Sequence, residues 1–230
     1  MPQPTLVILA AGMGTRLGRP FPKPLTSLRD GRSIMQQQVD NFAVAFPQTQ
    51  VRIVVGFKKE LVMEAFPQCA FLYNPAYDQT NTSKSLLAAL RDGGSDGVLW
   101  VNGDVVFDAK ILTELAPTIA AGQSVVCVNT ENVGDEEVKY TVGDEGFVSE
   151  LSKTVAQGLG EAVGINFISG SDLPLLRRHL EECGDQDYFE RGIETAIAQD
   201  GLRVVPFDIS AYRCLEVDFQ ADLDRANAVF

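Results

Sequence analysis

The sequence predicts an α/β fold in which a mostly parallel mixed sheet is flanked by helices and joined to a smaller β-rich portion. Three observations predict this class. Apolar runs of strand length alternate with helical patterns as far as about residue 128, which is the chain order of a parallel sheet. The first run, 5–9, is almost entirely apolar, as strands buried on both faces are. From about residue 129 onward the runs become paired, as in β-hairpins.

The first half of the chain is expected to hold five strands and four helices. Helices are assigned where apolar residues recur every three or four positions. Ser33 is predicted to cap the first helix and Pro47 to end it. The predicted strands are 5–9, 51–55, 70–73, 98–101 and 124–128, and the predicted helices are 34–46, 58–66, one opening within 78–85 and stopped by Gly93-Gly94, and one from Ala109 to Gly122.

The second half is expected to hold a hairpin, three further strands and three helices. Turn-forming residues at 143–146 separate the two hairpin strands. The hairpin strands are 138–142 and 147–151, the later strands are 162–168, 202–207 and 213–217, and the helices lie near 173–180, 193–197 and 219–229. No linker or repeat interrupts the chain, so one domain spanning 1–230 is predicted, with halves of about 1–128 and 129–230.

The composition restricts the classes of partner. Thirty-one acidic and 19 basic residues give a net charge of −12, which argues against nucleic acid, because phosphate contacts need clustered Lys and Arg. No run of eighteen apolar residues is present and Met1-Pro2-Gln3-Pro4 lacks a basic leader, so we expect a cytoplasmic protein without membrane contact. The four widely spaced cysteines are expected to be buried free thiols.

A small-residue loop follows the first predicted strand. Gly12 and Gly14 allow the backbone to approach a bulky anion, while Arg16 and the later Lys23 supply positive charge. This combination is typical of a cradle for a nucleoside triphosphate at the end of a strand.

Two other nucleotide-binding loops fit the sequence poorly. In a dinucleotide-binding GxGxxG motif the third glycine would come one residue before Gly18, and three prolines within 20–24 disfavour an immediate long helix. No acidic residue closes the second strand near 54–56, where a ribose-binding carboxylate should lie. A Walker loop is excluded because no Gly-Lys-Ser/Thr follows.

The segment LAAGMGTRL followed by PKPL resembles the signature of the nucleotidyltransferases that activate sugar phosphates and related phosphate esters. The resemblance continues in chain order through 74–87, Asn102-Gly103-Asp104, Ser152-Lys153, 160–166 and Glu216-Val217-Asp218. Within that superfamily the chain is most similar to the bacterial phosphocholine cytidylyltransferase branch, on NPAYDQTNTSKSL, ELSKTV with GEAVGINF, and YFE. The resemblance implies a Rossmann-like fold of the nucleotide-diphospho-sugar transferase type, with a nucleotide-binding first half and an acceptor-binding second half.

The implied reaction is attack by a substrate phosphate oxygen on the α-phosphorus of a nucleoside triphosphate, with loss of pyrophosphate. Because the nucleophile is already an anion, alignment and charge neutralisation are needed rather than a strong base. The resemblance implies catalytic roles for Arg16, Lys23 and Lys153. It implies nucleotide binding by Ala10, Ala11, Gly12, Met13, Gly14, Thr15, Asn81, Ser83 and Ser85. The sole histidine, His179, is expected to be an ordinary surface residue.

A magnesium site is also implied by the resemblance. Asp104 follows a predicted buried strand, at the sheet edge where open α/β sheets bind ligands. The second carboxylate would be Asp218, or Glu216 on the same side of its strand. Oxygen donors of this kind suit Mg²⁺.

The acceptor-binding residues are expected to be Lys84, Glu161, Tyr188 and Glu190. A choline-type acceptor needs an aromatic or acidic pocket, and Tyr140, Phe167, Asp187 and Phe189 are further candidates for it. Lys84 departs from the phosphocholine branch, which usually has an aromatic residue there; it either favours a second anionic group or points outward.

The first functional hypothesis is therefore a Mg²⁺-dependent nucleotidyltransferase that uses an NTP, with CTP favoured, on a small phosphate or phosphonate such as phosphocholine. The alternative is the same chemistry on a sugar 1-phosphate with UTP, GTP or dTTP. A hypothesis of another class is a non-catalytic nucleotide-binding regulatory domain. Whether the chain forms a homodimer is left open by the sequence.

Overall fold

A computed structural model describes residues 3–91, 94–131, 134 and 137–230 of the chain. Met1, Pro2 and Gly93, on which parts of the sequence predictions fall, lie outside the described residues. Eleven strands and seven α-helices are present in the described part. The strands are β1 Thr5–Ala10, β2 Val51–Val55, β3 Ala70–Tyr73, β4 Val98–Asn102, β5 Val105–Phe107, β6 Val125–Asn129, β7 Lys139–Val142, β8 Val148–Ser152, β9 Gly160–Ile168, β10 Val205–Asp208 and β11 Cys214–Glu216.

The main sheet is mixed and mostly parallel, as predicted. Its strand order is β10-β6-β9-β4-β1-β2-β3, with the β7–β8 hairpin joined to β9. Along this path β9 is antiparallel to both of its neighbours, β4 and β6, and the other four pairings are parallel. Strand β9, from the second half of the chain, therefore lies between β4 and β6 of the first half. Both halves of the chain thus share one sheet.

The helices cover both faces of this sheet. They are α1 Ile34–Ala45, α2 Lys59–Ala65, α3 Thr82–Leu90, α4 Lys110–Ala120, α5 Leu173–Glu182, α6 Phe189–Asp200 and α7 Gln220–Val229. Alternate residues of β1 enter different cores, since Leu6 and Ile8 pack on one side and Val7 and Leu9 on the other. This is the pattern expected of a strand buried on both faces. Ser33 caps α1 as predicted, its Oγ accepting a hydrogen bond from Gln36 N at 3.0 Å.

A second, two-stranded sheet was not predicted. β5 pairs antiparallel with β11, so that Val105 lies opposite Glu216. The hydrogen bond from Val217 N to Asp104 O, 3.0 Å long, continues this pairing. The small sheet thereby holds the end of the chain against the segment that follows β4.

The prediction for His179 is wrong. Its side chain is only 2% exposed, and Nε2 lies 2.6 Å from Asp200 Oδ2. The imidazole therefore links α5 to the end of α6. It lies on the buried, apolar face of α5 and not on the surface. The cysteine prediction is confirmed in part, since all four thiols are free but only Cys69 and Cys127 are buried.

Among the described residues, no helix combines the length and apolar character that crossing a membrane requires.

Gly103 is expected to be intolerant of any side chain. A Cβ there would lie 2.8 Å from Leu9 O and 3.0 Å from Pro24 Cγ, so Gly103→Ala should lower the free energy of unfolding by about 1–3 kcal/mol through overpacking. Gly143→Ala is the matched control, because a Cβ at Gly143 meets nothing within 4 Å. Urea denaturation of both variants checks this, and equal stabilities would contradict the packing described here.

Candidate active site

A cleft opens where β1 and β4 end at their carboxyl termini, the edge at which open α/β sheets bind ligands. Its cavity volume is about 410 Å³. Most of the sequence-predicted site residues line it: Ala10, Gly12, Met13, Gly14, Thr15, Arg16, Lys23, Asn81, Asp104, Tyr188, Glu190, Glu216 and Asp218. The structure thus gathers residues from both ends of the chain into one cleft.

The glycine loop is shaped by its contact with Lys23. Gly14 has φ +58°, and a Cβ at this position would lie 2.7 Å from Lys23 Cβ. Glycine is therefore required for the left-handed backbone and for the close approach. Gly12 meets nothing within 4 Å of an added Cβ, so its backbone faces open space. The loop leaves room for a bulky group above Gly12 while it packs against Lys23 at Gly14.

The Lys23 ammonium lies between two carboxylates. Its Nζ is 2.6 Å from Asp104 Oδ2 and 2.6 Å from Asp218 Oδ1, and its side chain is 10% exposed. Burial alone would lower the pKa of Lys23, but the charges and hydrogen bonds of Asp104 and Asp218 outweigh it and raise the pKa. Arg16 Nη1 lies 2.6 Å from Asp218 Oδ2. Two cations of the loop segment are thus held by the two aspartates.

A third carboxylate, Glu216, completes the cluster. The charge of Asp104, then burial of the carboxyl end, then the charge of Asp218 raise the pKa of Glu216 to about 9, although the residue as a whole is exposed. The negative charges of Asp104 and Asp218 disfavour a third negative charge beside them, so Glu216 retains its proton.

The three carboxylates fit a divalent cation that prefers oxygen ligands. One carboxylate oxygen from each of Asp104, Glu216 and Asp218 lies within 4.8 Å of the others. Asp104 Oδ1 is buried and has no hydrogen-bond partner among the described residues. An unpaired buried carboxylate oxygen is costly, so a ligand for it is expected. The donor set is the one that Mg²⁺ favours.

Six of the predicted residues do not line the cleft: Ala11, Ser83, Lys84, Ser85, Lys153 and Glu161. Ala11 packs into the core, and its carbonyl accepts a hydrogen bond from Phe57 N at 3.0 Å. Ser83 is fully buried. The Ser85 hydroxyl accepts a hydrogen bond from Asn74 Nδ2 at 3.1 Å. Lys84 Nζ donates to the carbonyls that end α5, including Leu180 O at 3.3 Å and Cys183 O.

The segment before α3 and the first residue of that helix contribute to the cleft. Asn81 is the N-cap of α3, and the cleft-lining residues that the sequence argument did not single out include Tyr77, Asp78, Gln79, Thr80, Thr82, Asn102 and Gln186. The spacing of apolar residues in the sequence could have predicted that Ser83 is buried. Ser83 lies three and four positions before Leu86 and Leu87, so it shares their buried face.

Lys84 differs from the aromatic residue that is usual in the phosphocholine branch, but its position shows that this difference does not affect the cleft. Its ammonium interacts with the carbonyl end of α5, where cations are favoured, and it does not line the cleft. The expectation that Lys84 favours a second anionic group on the acceptor therefore has no basis in this geometry.

One wall of the cleft is built at the start of α6. Tyr188 is 43% exposed, whereas Glu190 is 8% exposed and its Oε2 has no hydrogen-bond partner among the described residues. Phe189 also lines the cleft and packs edge-on against Trp100, with ring centroids 5.5 Å apart. Of the other aromatic candidates, Tyr140 and Phe167 are in the cores, and Asp187 bonds to Gly184 N.

Lys153 and Glu161 lie beside the cleft. The Lys153 ammonium is 4.7 Å from the centroid of the Tyr188 ring. Glu161 lines a second cavity of about 240 Å³, which shares Arg16, Glu216 and Asp218 with the main cleft. Glu161 Oε2 accepts a hydrogen bond from Gly134 N at 3.0 Å. Arg16, Glu216 and Asp218 thus lie between two adjoining cavities.

Comparison with known proteins identifies relatives of this chain. A family model described as a MobA-like NTP transferase domain matches residues 6–192. A CMP-5'-(3-aminopropyl)phosphonate synthase from Streptomyces rubellomurinus is 29% identical, with 97% of this chain and 38% of that protein covered. A bifunctional protein GlmU from a Nostoc species is 28% identical, with 90% of this chain and 48% of that protein covered. The chain thus spans less than half the length of these two curated relatives.

Solved structures show the same fold at low sequence identity. A CTP:phosphocholine cytidylyltransferase from Streptococcus pneumoniae has a TM-score of 0.81 at 16% identity, with 98% of both chains covered. An inositol-1-phosphate CTP transferase from T. maritima has a TM-score of 0.78 at 15% identity, with 96% of this chain and 92% of that chain covered. The predicted fold class is confirmed by these likenesses.

Glu190 should make the stability of the protein depend on pH. Burial raises the pKa of its carboxyl from 4.5 to about 7. As pH rises, the unfolded chain loses this proton before the folded protein does, so stability falls between about pH 4.5 and pH 7. Glu190→Gln has no proton to lose at this site. Between pH 4.5 and about pH 8 its free energy of unfolding should therefore rise relative to that of the wild type by up to about 3 kcal/mol.

Denaturant unfolding of the wild type and of Glu190→Gln, at pH 4.5 and at about pH 8, measures this difference. The control is Glu114→Gln, which changes an exposed glutamate on α4 and should leave the pH dependence as it is. A pH dependence that is the same in Glu190→Gln and wild type would contradict a buried, protonated carboxyl.

Proposed function

Because the chain belongs to the MobA-like NTP transferase domain family, we propose that it transfers a nucleoside monophosphate from an NTP to a small phosphate or phosphonate, with release of pyrophosphate. CTP is the favoured nucleotide, and phosphocholine is an example of the acceptor. The observation that carries the proposal is the contact of Lys23 with both Asp104 and Asp218 at 2.6 Å, beside the glycine loop. Anion-binding backbone, cations and carboxylates thus meet in one cleft.

Three similarities support CTP and a small acceptor. The Streptomyces relative is named as a synthase of a CMP-phosphonate. Two structural neighbours are named for CTP, one with phosphocholine and one with inositol 1-phosphate. A homodimer stays a prediction.

The chemistry needs no strong base. An acceptor phosphate or phosphonate oxygen attacks the α-phosphorus, the bond from the α-phosphorus to its bridging oxygen breaks, and pyrophosphate takes the electron pair. The backbone around Gly12 and Gly14 would accommodate the triphosphate, and Arg16 and Lys23 would offset the charge that develops on it. Asn81, at the N-cap of α3, would contact the nucleoside.

Asp104 and Asp218, with Glu216, would hold Mg²⁺. When bound, the ion supplies charge neutralisation and alignment for the phosphate oxygens. Asp104 and Asp218 both contact the Lys23 ammonium at 2.6 Å, so a divalent cation held by the same carboxylates would compete with Lys23 for them. The triphosphate beside the glycine loop would offer Lys23 another anion.

A pyrophosphate-release screen tests the proposed function. The four NTPs are paired with phosphocholine, phosphoethanolamine, aminoethylphosphonate and several sugar 1-phosphates, each with Mg²⁺. We expect release with CTP and a small phosphate or phosphonate. Release only with a sugar 1-phosphate and UTP, GTP or dTTP would support the alternative acceptor class, and no release from folded protein would support a regulatory binding domain.

Asp104→Asn serves as the inactive control in that screen. It should reduce the transfer rate by at least about a hundredfold, because one metal-binding and Lys23-holding oxygen loses its charge. Asp144→Asn, at an exposed turn position, should retain the wild-type rate. Wild-type turnover by Asp104→Asn would remove Asp104 from the site.

Lys23→Met should separate metal binding from catalysis. The substitution removes the ammonium that competes for Asp104 and Asp218, so Mn²⁺ should bind the nucleotide-free variant at least about tenfold more tightly, a gain of about 1.4 kcal/mol. The transfer rate should nevertheless fall, since the phosphates lose a cation.

Electron paramagnetic resonance of Mn²⁺ measures this binding without turnover. Lys110→Met, which changes an exposed lysine at the start of α4, is the control and should bind Mn²⁺ as the wild type does. Unchanged or weaker Mn²⁺ binding by folded Lys23→Met would show that Lys23 and the metal do not compete.

A further inference from the structure

Three buried amide side chains of α1 lie against the edge of β5 that is not paired with β11. They belong to Gln37, Gln38 and Asn41. Asn41 Nδ2 donates a hydrogen bond to Phe107 O at 2.7 Å, and Phe107 N donates one to Gln37 Oε1 at 3.2 Å. Buried backbone groups need hydrogen-bond partners, so α1 supplies with side chains what a third strand would supply with its backbone.

Gln38 differs from the other two amides in what it holds. Its Nε2 donates to Asn102 O at 2.8 Å and to Val105 O at 2.7 Å. An amide nitrogen carries two hydrogens, so both are used. The two carbonyls stand on either side of Gly103-Asp104 in the chain. One side chain therefore closes, from both ends, the short segment that carries Asp104.

The orientation of the Gln38 amide leaves its oxygen unpaired. The residue is fully buried, and its Oε1 has no hydrogen-bond partner among the described residues. Turning the amide over would point that oxygen at two carbonyl oxygens and break both hydrogen bonds, so the two donors fix the orientation. A buried oxygen without a partner destabilises the fold, and a side chain with a purely structural role would be expected to satisfy all of its polar atoms.

We propose that Gln38 is a positioning residue for Asp104. The inference rests on the proposed function, in which Asp104 holds Mg²⁺. Gln38 does not line the cleft, so it acts only through the backbone of residues 102–105. Pairing with β11 holds Asp104 on one side, through the bond from Val217 N to Asp104 O, and Gln38 holds the segment on the other. Groups that fix the orientation of a ligand carboxylate strengthen metal binding, although they never touch the ion.

Gln38→Met should weaken metal binding by the folded protein. Methionine has nearly the same length but no amide, so Asn102 O and Val105 O lose their donor. Mn²⁺ should bind the nucleotide-free variant about tenfold more weakly. The transfer rate at saturating Mn²⁺ should stay about tenfold below that of the wild type, because Asp104 is less well placed. Electron paramagnetic resonance of Mn²⁺ measures the affinity, and pyrophosphate release measures the rate.

Asn41→Leu is the matched control, because it removes another buried amide of α1 that bonds to β5. Its partner is Phe107, three positions beyond Asp104. Both variants should lower the free energy of unfolding in urea, but Asn41→Leu should bind Mn²⁺ as the wild type does. If folded Gln38→Met binds Mn²⁺ as tightly as the wild type, or if both variants lose Mn²⁺ affinity equally, Gln38 only stabilises the fold and the proposal is overturned.

A milder variant covers the case in which Gln38→Met does not fold. Gln38→Asn keeps an amide but shortens the side chain by one methylene, so it cannot reach both carbonyls. Its Mn²⁺ affinity should likewise fall below that of Asn41→Leu, and equal affinities would overturn the proposal.

The pyrophosphate screen keeps this result separate from the proposed function. If the wild type turns over an acceptor but Gln38→Met matches Asn41→Leu in Mn²⁺ affinity and rate, the positioning role is wrong and the nucleotidyltransferase assignment stands. If the wild type turns over no acceptor, the proposed function fails, while the Mn²⁺ affinities still decide whether Gln38 positions Asp104.

Discussion

Electrostatic repulsion among Asp104, Glu216 and Asp218 is the constraint on which the rest of the site depends. One carboxylate oxygen of each lies within 4.8 Å of the others, and such a cluster is unfavourable unless cations or protons compensate it. Lys23 supplies the central charge, Arg16 a second, and a retained proton on Glu216 relieves what remains. The glycine at position 14 is needed for the same reason, since it lets the Lys23 stem pack against the loop.

The cluster exists because a short strand pair joins distant parts of the chain. β5 follows Asp104 directly, and its pairing with β11 brings Glu216 opposite Val105. Without this pairing, Asp104 would stand at the end of β4 with no carboxylate opposite. The Rossmann-like sheet thus supplies the platform, while three residues on each side of a minor sheet determine the geometry of the charges.

The parts of the fold that sequence predicts best are those with strong local patterns. β1 is recognisable because both of its faces are buried, and α1 because Ser33 caps it. β5 carries no such pattern: three apolar residues after a turn fit a strand, a loop or a helix start equally well. The same limit applies to the site. The loop motif identifies Lys23, and the polar segment after the fourth predicted strand identifies Asp104. The Lys84 bond to the end of α5 and the burial of Ser85 depend on tertiary neighbours, which single-chain periodicity does not reveal.

The 195 positions that separate Lys23 from Asp218 also bear on how the protein reaches its native form. Closing so long a segment of chain costs conformational entropy before any contact compensates it. We therefore expect the sheet around β1 to assemble ahead of the carboxylate cluster, which forms only when the C-terminal segment docks. Until then the first part of the chain would already present its glycine loop, while Lys23 would lack one of its two counter-charges. We therefore expect the cleft to be completed late in folding.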